Sequence, residues 1–549
     1  MLCLVPPAVT QPFARAIDDA VLAAAEGCGA YPGALGDEIT RARVRLPPHL
    51  RGLGLRSLVE VADGAYAASF VEAAQSFFGT RGLFPQLIGL FRGHVGPTAG
   101  LAADEIFAAG GPRFSHCLSA AARATDSVAA FAAAWARLQR RVLGSGVTGP
   151  LDADATQAGA GVERRLQRAI THQWEQAARD RLHHRISQLP LADTRREAWF
   201  SADELSRQWV TTWTSPACAL SCAEFGEVFT TYLGRESPVC RVLAGRAIAC
   251  GRVRRVCDAF GVQLGLATLP GSEHTTCHDA CATLIFDLMG VAATVVREPR
   301  RMFSSVIPPA VLLGPGRPPA VVPDARAVLA LPREVVAERG VPGRSQRRSP
   351  PVRREWIFDV KTTHGGGPAY LSARARDEQS GGVHQRAHQV AGAYLSHARR
   401  LDDRLHAGAV AAAAAAGQAA PPRADAVLDR LRALGPVRPL VFGQYGEASP
   451  DVHAVIGLAA GEAARGDWAR MGARTESEAR AFFLQSFRRR IGVGVVREFA
   501  RHRLLRAPMV GASSDVLRAQ APRPQPAGAR RSHFEFYAFQ AYAPQGGGA

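Results

Sequence analysis

The sequence predicts a mainly α-helical N-terminal region followed by an α/β domain in which helices flank a small mixed sheet. Three observations carry this. From Phe13 to Glu26, the residues Phe13, Ile17, Val21 and Leu22 recur at helical spacing, with carboxylates on the other face. From Thr275 onward, a capped helical pattern, an apolar run at Val291–Val296, a Pro-Asp step at Pro323-Asp324 and a strand-like run at Trp356–Thr362 follow in order. A long amphipathic pattern over Val383–Leu401 closes that series.

Bulk composition narrows the function classes. The 549 residues have room for two to four cores, and 47% hydrophobic with 21% charged content is ordinary for a globular protein. A formal charge of +18 is not ordinary, and an arginine-rich surface of that sign suits a polyanion. Of the 66 basic residues all but one are arginine, and the exception is Lys361. Ten cysteines are too few for a disulfide scaffold, although seven of them crowd between Cys218 and Cys281. The start, Met1–Val9, has no basic n-region, and no apolar run reaches the roughly 18 residues of a membrane span. The expectation is a soluble intracellular protein, nuclear if its polyanion is DNA.

Five segments follow from composition and pattern: a helical region over 1–140, a helical linker over 141–215, a Cys-rich stretch over 216–274, an α/β domain with insertions over 275–510, and a disordered tail over 511–549. In the first, a Pro/Gly turn at Arg45-Leu46-Pro47-Pro48-His49-Leu50-Arg51-Gly52-Leu53-Gly54-Leu55-Arg56-Ser57 leads to a small-residue helix around Ala65-Tyr66-Ala67-Ala68-Ser69-Phe70. This stretch resembles the segment after the polymerase core in reverse transcriptases of non-LTR retrotransposons, which carry an "LP…GGLGL-R-S/A" run and then "A-A-Y-x-A-S". Arg51 stands where that family has the first glycine of its pair. A polymerase needs adjacent aspartates on a tight apolar hairpin. The adjacent pairs here, Asp18-Asp19 and Asp402-Asp403, both fall in helical patterns and read as solvated helix faces. The polymerase core is therefore absent.

The Cys-rich stretch holds Cys218, Cys222, Cys240, Cys250, Cys257 and His274, and Cys277 and His278 follow just after it. Retrotransposon proteins of this kind place a Cys-Cys-His-Cys zinc knuckle here, followed by an "R-H" that opens a helix. The chain departs from that pattern after Asp258-Ala259-Phe260-Gly261, where the family has a His and then a Cys and this sequence has Gln263 and Ala267 nearby instead. A zinc remnant built from Cys250, Cys257, His274 and Cys277 remains open beside the alternative of buried, unpaired thiols.

Chemistry centres on Pro323-Asp324 and Asp359-Val360-Lys361, two carboxylates and the sole lysine. Strand alternation puts Asp359 and Lys361 on one face. Two carboxylates at adjacent strand ends suit Mg²⁺ against a phosphodiester, and an ammonium beside them can orient water or offset charge on phosphorus. The pattern is similar to the PD-(D/E)XK motif of restriction-like endonucleases, and to the endonuclease domain that follows the zinc knuckle in site-specific non-LTR retrotransposons. Pro439-Leu440-Val441-Phe442-Gly443-Gln444-Tyr445-Gly446 resembles that family's later strand and glycine turn, and the Arg-rich Phe482–Arg490 its closing helix.

The resemblance implies an α/β restriction-endonuclease-like domain, with Asp324, Asp359, Lys361 and Gln385 as catalytic residues and Asp324 and Asp359 as Mg²⁺ ligands. His384, Arg386, Arg353 and Arg354 are expected on DNA. The implied partners are target DNA, element RNA and a polymerase. A catalytically dead, nucleic-acid-binding remnant is the alternative, and a codon-biased structural protein a third. His364-Gly365-Gly366-Gly367 looks superficially like an esterase oxyanion loop, but no Gly-x-Ser-x-Gly elbow accompanies it.

Overall fold

The computed structural model describes residues 7–29, 31–62, 166–212, 218–248, 255–267, 273–312, 320–331, 352–366 and 381–511, with residues 65, 215 and 370 singly. The small-residue helix around Tyr66, the tail beyond residue 511 and Cys250 lie outside the described residues.

The N-terminal layer is helical. Helices α1 (Pro7–Gly29), α2 (Glu38–Arg45), α3 (Leu166–Ser187), α4 (Thr194–Ser201), α5 (Gln208–Thr211) and α6 (Cys222–Leu233) pack around Leu46, Trp199, Phe229 and Tyr232. Local chemistry sets their starts. Asp37 accepts the Thr40 amide at 2.9 Å to cap α2, and Ser221 with Glu224 forms a reciprocal capping box on α6. The face expected of α1 is corrected: Phe13 and Val21 are exposed, while Thr10, Ala14 and Asp18 are buried. Asp18 is not solvated, because its carboxylate caps the turn at Ser57–Val59, accepting the Leu58 amide at 2.7 Å. Asp402 is likewise buried, accepting the amides of Val427 and Leu428 at 3.0 Å. Capping outweighed solvation at both aspartates.

A short antiparallel hairpin, β1 (Ala247–Ile248) with β2 (Arg255–Val256), follows α7 (Pro238–Leu243) and precedes α8 (Val262–Leu266). Then comes α9 (Glu273–Met289), which starts ahead of Thr275 and Thr276, so neither threonine caps it. After β3 (Ala293–Arg297) and α10 (Pro309–Leu312), the chain enters β4 (Ala325–Leu331), β5 (Val352–Thr363), α11 (Gly381–Ala415), α12 (Ala426–Leu434), β6 (Val437–Gly443), α13 (Pro450–Asp467) and α14 (Glu476–Arg506).

Strands β3–β6 form one mixed sheet in sequence order. The first three run antiparallel as a meander; β6, reached through α11 and α12, runs parallel to β5. Both faces are covered. Cys281 and Ile285 of α9, Val452 and Ile456 of α13, and Val495 and Phe499 of α14 pack on Phe358, Val360, Leu440 and Phe442. On the other face, Val390, Tyr394, Ala398 and Leu401 of α11 and Leu428 and Leu431 of α12 pack on Ile357 and Val437. Each such buried apolar side chain contributes about 1.5–3 kcal/mol relative to exposure. Along α11 the amphipathic pattern buries Ala387, Val390, Tyr394, Ala398 and Leu401, while Ala391 is exposed.

The outer edge of β6 is closed by its own turn. Ser449 donates its hydroxyl to the Pro439 carbonyl at 2.7 Å and accepts the Val441 amide at 3.0 Å. Within that turn Glu447 is fully buried, accepting the Tyr445 amide at 3.0 Å and the Tyr370 hydroxyl. Gly443 is required there, since a Cβ would collide with the Glu447 carboxylate and the Tyr370 hydroxyl.

Candidate active site

Strand β5 outruns β4. Their pairing ends at Ala325↔Phe358, and from Asp359 to Thr363 the ladder continues on the β6 side alone. Pro323 precedes that end and has no N–H to extend the pairing. The backbone of Val360 therefore needs side-chain partners. Asp324 Oδ2 accepts its amide at 2.8 Å. Its carbonyl accepts His278 Nε2–H at 2.8 Å and Lys361 Nζ–H at 2.9 Å. The end of the β4–β5 ladder thus gathers four ionisable groups: Asp324, Asp359, Lys361 and His278.

Lys361 holds the centre. Its Nζ lies 2.5 Å from Asp359 Oδ2 and 3.8 Å from Asp324 Oδ2, so both carboxylates fall within 4 Å of one ammonium. The Tyr394 hydroxyl, from the buried stripe of α11, donates to Asp359 Oδ1 at 2.7 Å. Asp359 is only 3% exposed, and its Oδ2 is met by the Lys361 ammonium. On α9, His278 Nδ1 contacts Asp279 Oδ1 at 3.1 Å, and its Nε2 stands 3.5 Å from Asp324 Oδ2.

The two carboxyls are pushed in opposite directions. Burial alone would raise both. At Asp324 the His278 side chain, the Lys361 ammonium and the Val360 amide outweigh burial and hold the group below the usual range. At Asp359 burial prevails: Lys361 offsets part of it, while the nearby Asp324 charge adds to it. For His278, burial would lower the imidazole, but Asp279, Asp324 and the Val360 carbonyl raise it to about 10. His278 is therefore a cation at neutral pH, and paired environments that split two carboxyls are a frequent mark of acid–base sites.

The expected triad of Asp324, Asp359 and Lys361 is brought together. Of the other expected residues, Arg353 and Arg354 stand apart from it. The triad takes polar contacts from Val360, His278 and Tyr394, and three more expected residues are Gln385, His384 and Arg386. Those three lie half-buried at the start of α11, where Arg386 pairs with Gln389 at 3.2 Å. Val383 and Ala387 of the same turns pack on Val441, which lies beside Lys361 in the β5–β6 register. Arg353 and Arg354 pair with Ala330 and Leu329 near the far end of β5, roughly 17–20 Å along the strand from Asp359 at about 3.3 Å per residue.

The four buried cysteines among the described residues divide into two separate contexts. Cys257 packs with Cys240 beside Ile248 and Leu264, where burial and its neighbouring thiol push it up to about 12. Cys277 packs with Cys281 in the sheet core. His274 falls in the first turn of α9, its side chain outside the described residues. The structure does not bring Cys257 and Cys277 to one point, and among the described residues no group of three or more His, Cys, Asp or Glu is arranged to hold a metal. Both thiol pairs behave as apolar packing groups.

Two side chains were missed by sequence reasoning: His278 and Tyr394. His278 was legible only as a histidine beside Cys277, and Tyr394 only as a member of the core stripe of α11. Comparison with known proteins adds nothing further: no family model matches the chain, and neither a curated protein nor a solved structure matches it.

Proposed function

We propose that this chain is a Mg²⁺-dependent DNA endonuclease module with a restriction-endonuclease-like core, belonging to a retrotransposon-type element. The observation that carries the reading is the pair Asp324 and Asp359 converging on the sole lysine at the overhanging end of β5. The order of helix, three-strand meander, helix and parallel fourth strand agrees with the arrangement expected for that fold.

The donor set fits a hard cation. Asp359 is a buried carboxylate, Asp324 Oδ2 faces the same ammonium of Lys361, and paired carboxylate oxygens suit Mg²⁺, which keeps several waters of its own. Mg²⁺ held by Asp324 and Asp359 would supply neutralisation of phosphate charge and an activated water. Tyr394 fixes the rotamer of Asp359 through Oδ1 and leaves Oδ2 turned toward Lys361. The His278 cation steadies Asp324 and the Val360 carbonyl together. Lys361, a compact charge with three donors, can hold the attacking water and meet negative charge developing on phosphorus. In the reaction a water oxygen bonds to phosphorus, the bond to the departing sugar oxygen breaks, the water gives up one proton and the sugar oxygen takes one.

In such an element the cut would prime reverse transcription by a separate polymerase, with element RNA as template. The test is nicking of supercoiled plasmid by the full chain in Mg²⁺, beside Asp324→Asn and Asp359→Asn. Nicking that vanishes in both variants while a gel shift on DNA persists supports the enzyme. Wild-type DNA binding without nicking leaves the second reading, a nucleic-acid-binding remnant.

A further inference from the structure

Away from the carboxylates, the N-terminal layer gathers three guanidinium groups that no acid among the described residues pairs with. Arg43 lies on α2, Arg51 just after the turn Pro48–Leu50, and Arg207 at the start of α5. Arg43 is 1% exposed, yet its Nε donates to the Arg51 carbonyl at 3.2 Å and its Nη2 to the Ala198 carbonyl at 3.4 Å, with no acceptor at Nη1. Its guanidinium carbon stands 4.6 Å from the centre of the Tyr232 ring and 5.5 Å from that of Trp199. Arg51 also lies 5.5 Å over Trp199 and donates Nη1–H to its carbonyl at 2.7 Å. Arg207 donates to the His49 carbonyl at 2.9 Å.

Ring faces and carbonyls fix where these groups sit and leave their charge uncompensated. Two neighbouring arginines are already neutralised, Arg56 by Glu175 at 2.8 Å and Arg179 by Asp180 at 2.8 Å. The crowding registers on Arg51: burial first, then Arg43, Arg179 and Arg207, bring it down to about 10. His49 is lowered by burial and by the charges of His172, Arg207 and Arg56 around it. Of the five N–H donors each guanidinium carries, Arg51 and Arg207 each use one on the carbonyls just named.

We propose that the face formed by His49, Arg51 and Arg207, with Arg43 fixed beneath it, binds the sugar-phosphate backbone of a nucleic acid. His49 is exposed while Arg51 and Arg207 are half-buried on two neighbouring turns, and donors spread over adjoining turns in this way suit a repeating anion better than a single one. Guanidinium forks match phosphate oxygens, and the net charge of +18 draws such a polymer in. The inference rests on the nuclease reading and extends it, giving the nucleic acid a second contact outside the carboxylate site. The layer that carries this face is packed against the sheet: Arg43 meets the Ala198 carbonyl, and Ala198 packs with Tyr445, two residues beyond the end of β6.

The test is fluorescence anisotropy on the full chain in EDTA, with DNA and RNA duplexes of one length and sequence, across a salt series. Arg207→Gln and Arg51→Gly are made singly and together. Glycine is chosen because Arg51 has a φ of 71°. Each lost phosphate contact flattens the log–log salt slope by roughly 0.9, so the double variant should lose about two units of slope and on the order of 10-fold affinity in low salt. Arg474→Gln, an exposed arginine on the turn between α13 and α14, gives the same charge change elsewhere and should leave the slope nearly unchanged. Unchanged slope and affinity in the folded double variant, or an equal loss in Arg474→Gln, overturns the proposal. Binding loss in a chain that never nicks plasmid keeps this face and overturns the nuclease reading. Nicking with an unaltered slope overturns this face alone. The DNA and RNA arms identify which backbone is held.

Discussion

Glu447 allows the sharpest quantitative test of the fold. It is fully buried in the turn after β6, and burial raises its carboxyl from 4.5 to about 8, against the opposing hydrogen bonds of Tyr370 and the backbone. A folded value above the unfolded one means that stability is fully present below about pH 4.5. Between there and about pH 8 the unfolded chain ionises and the folded chain does not, so stability falls as pH rises through that window. At 1.36 kcal/mol per unit, the loss is about 4–5 kcal/mol, a large share of a typical folding free energy. Glu447→Gln keeps the shape and cannot ionise. Urea unfolding of both proteins at pH 4.5 and pH 8 isolates the effect, since every other titrating group cancels in the difference. Glutamine should be neutral or costly at pH 4.5 and the more stable residue at pH 8. An equal difference at the two pH values would refute the argument from burial.

Three further outcomes are expected. Lys361→Arg should reduce Mg²⁺-dependent nicking by about 100-fold or more, judged from the usual size of general acid–base contributions, while a gel shift stays within about 2-fold. Tyr394→Phe removes a 2.7 Å hydrogen bond from a buried carboxylate and should cost about 1.5–3 kcal/mol in urea unfolding, with weaker nicking. His364 stacks on His502 with centroids 5.0 Å apart, and burial with Arg506 and Arg503 nearby holds it down at about 3. A lowered histidine contributes stability above about pH 6.5 that is lost as pH falls toward 3. Thermal melts should therefore show His364→Phe less acid-sensitive than wild type, and equal acid sensitivity would count against it.

The parts of the site legible in the sequence were those set by local pattern. Alternation on β5 fixed Asp359 and Lys361 to one face, and the lone lysine pointed to that strand among all others. The spacing from Pro323-Asp324 suggested the partner carboxylate, and the register delivers it. His278 was hidden because its partner, the Val360 carbonyl, is 82 residues away and is free only because β4 stops short. No periodicity encodes that. Tyr394 was hidden by its own success as a core residue: the ring fills the α11 stripe while the hydroxyl reaches Asp359. Asp18 and Asp402 misled for the opposite reason, since beside exposed Asp19 and Asp403 they read as solvated, and only tertiary structure reveals the amide groups they cap.

Helix α14, 31 residues and roughly 46 Å long at 1.5 Å per residue, has consequences for how this chain can be divided. Its middle packs on the sheet through Ile491, Val495 and Phe499. Its last turns carry Arg503 to Glu227 and Thr231 of α6, both at 2.7 Å, and Arg506 to the Leu264 carbonyl at 2.7 Å. Gly492 passes so near the Leu205 carbonyl that no side chain fits between them. One rod is therefore seated in both halves at once, and neither half owns it. Cutting the chain near residue 270 would yield two fragments that each lack half of a binding seat. They would be partners for complementation in trans, and neither would be a module that could be moved to another protein by itself.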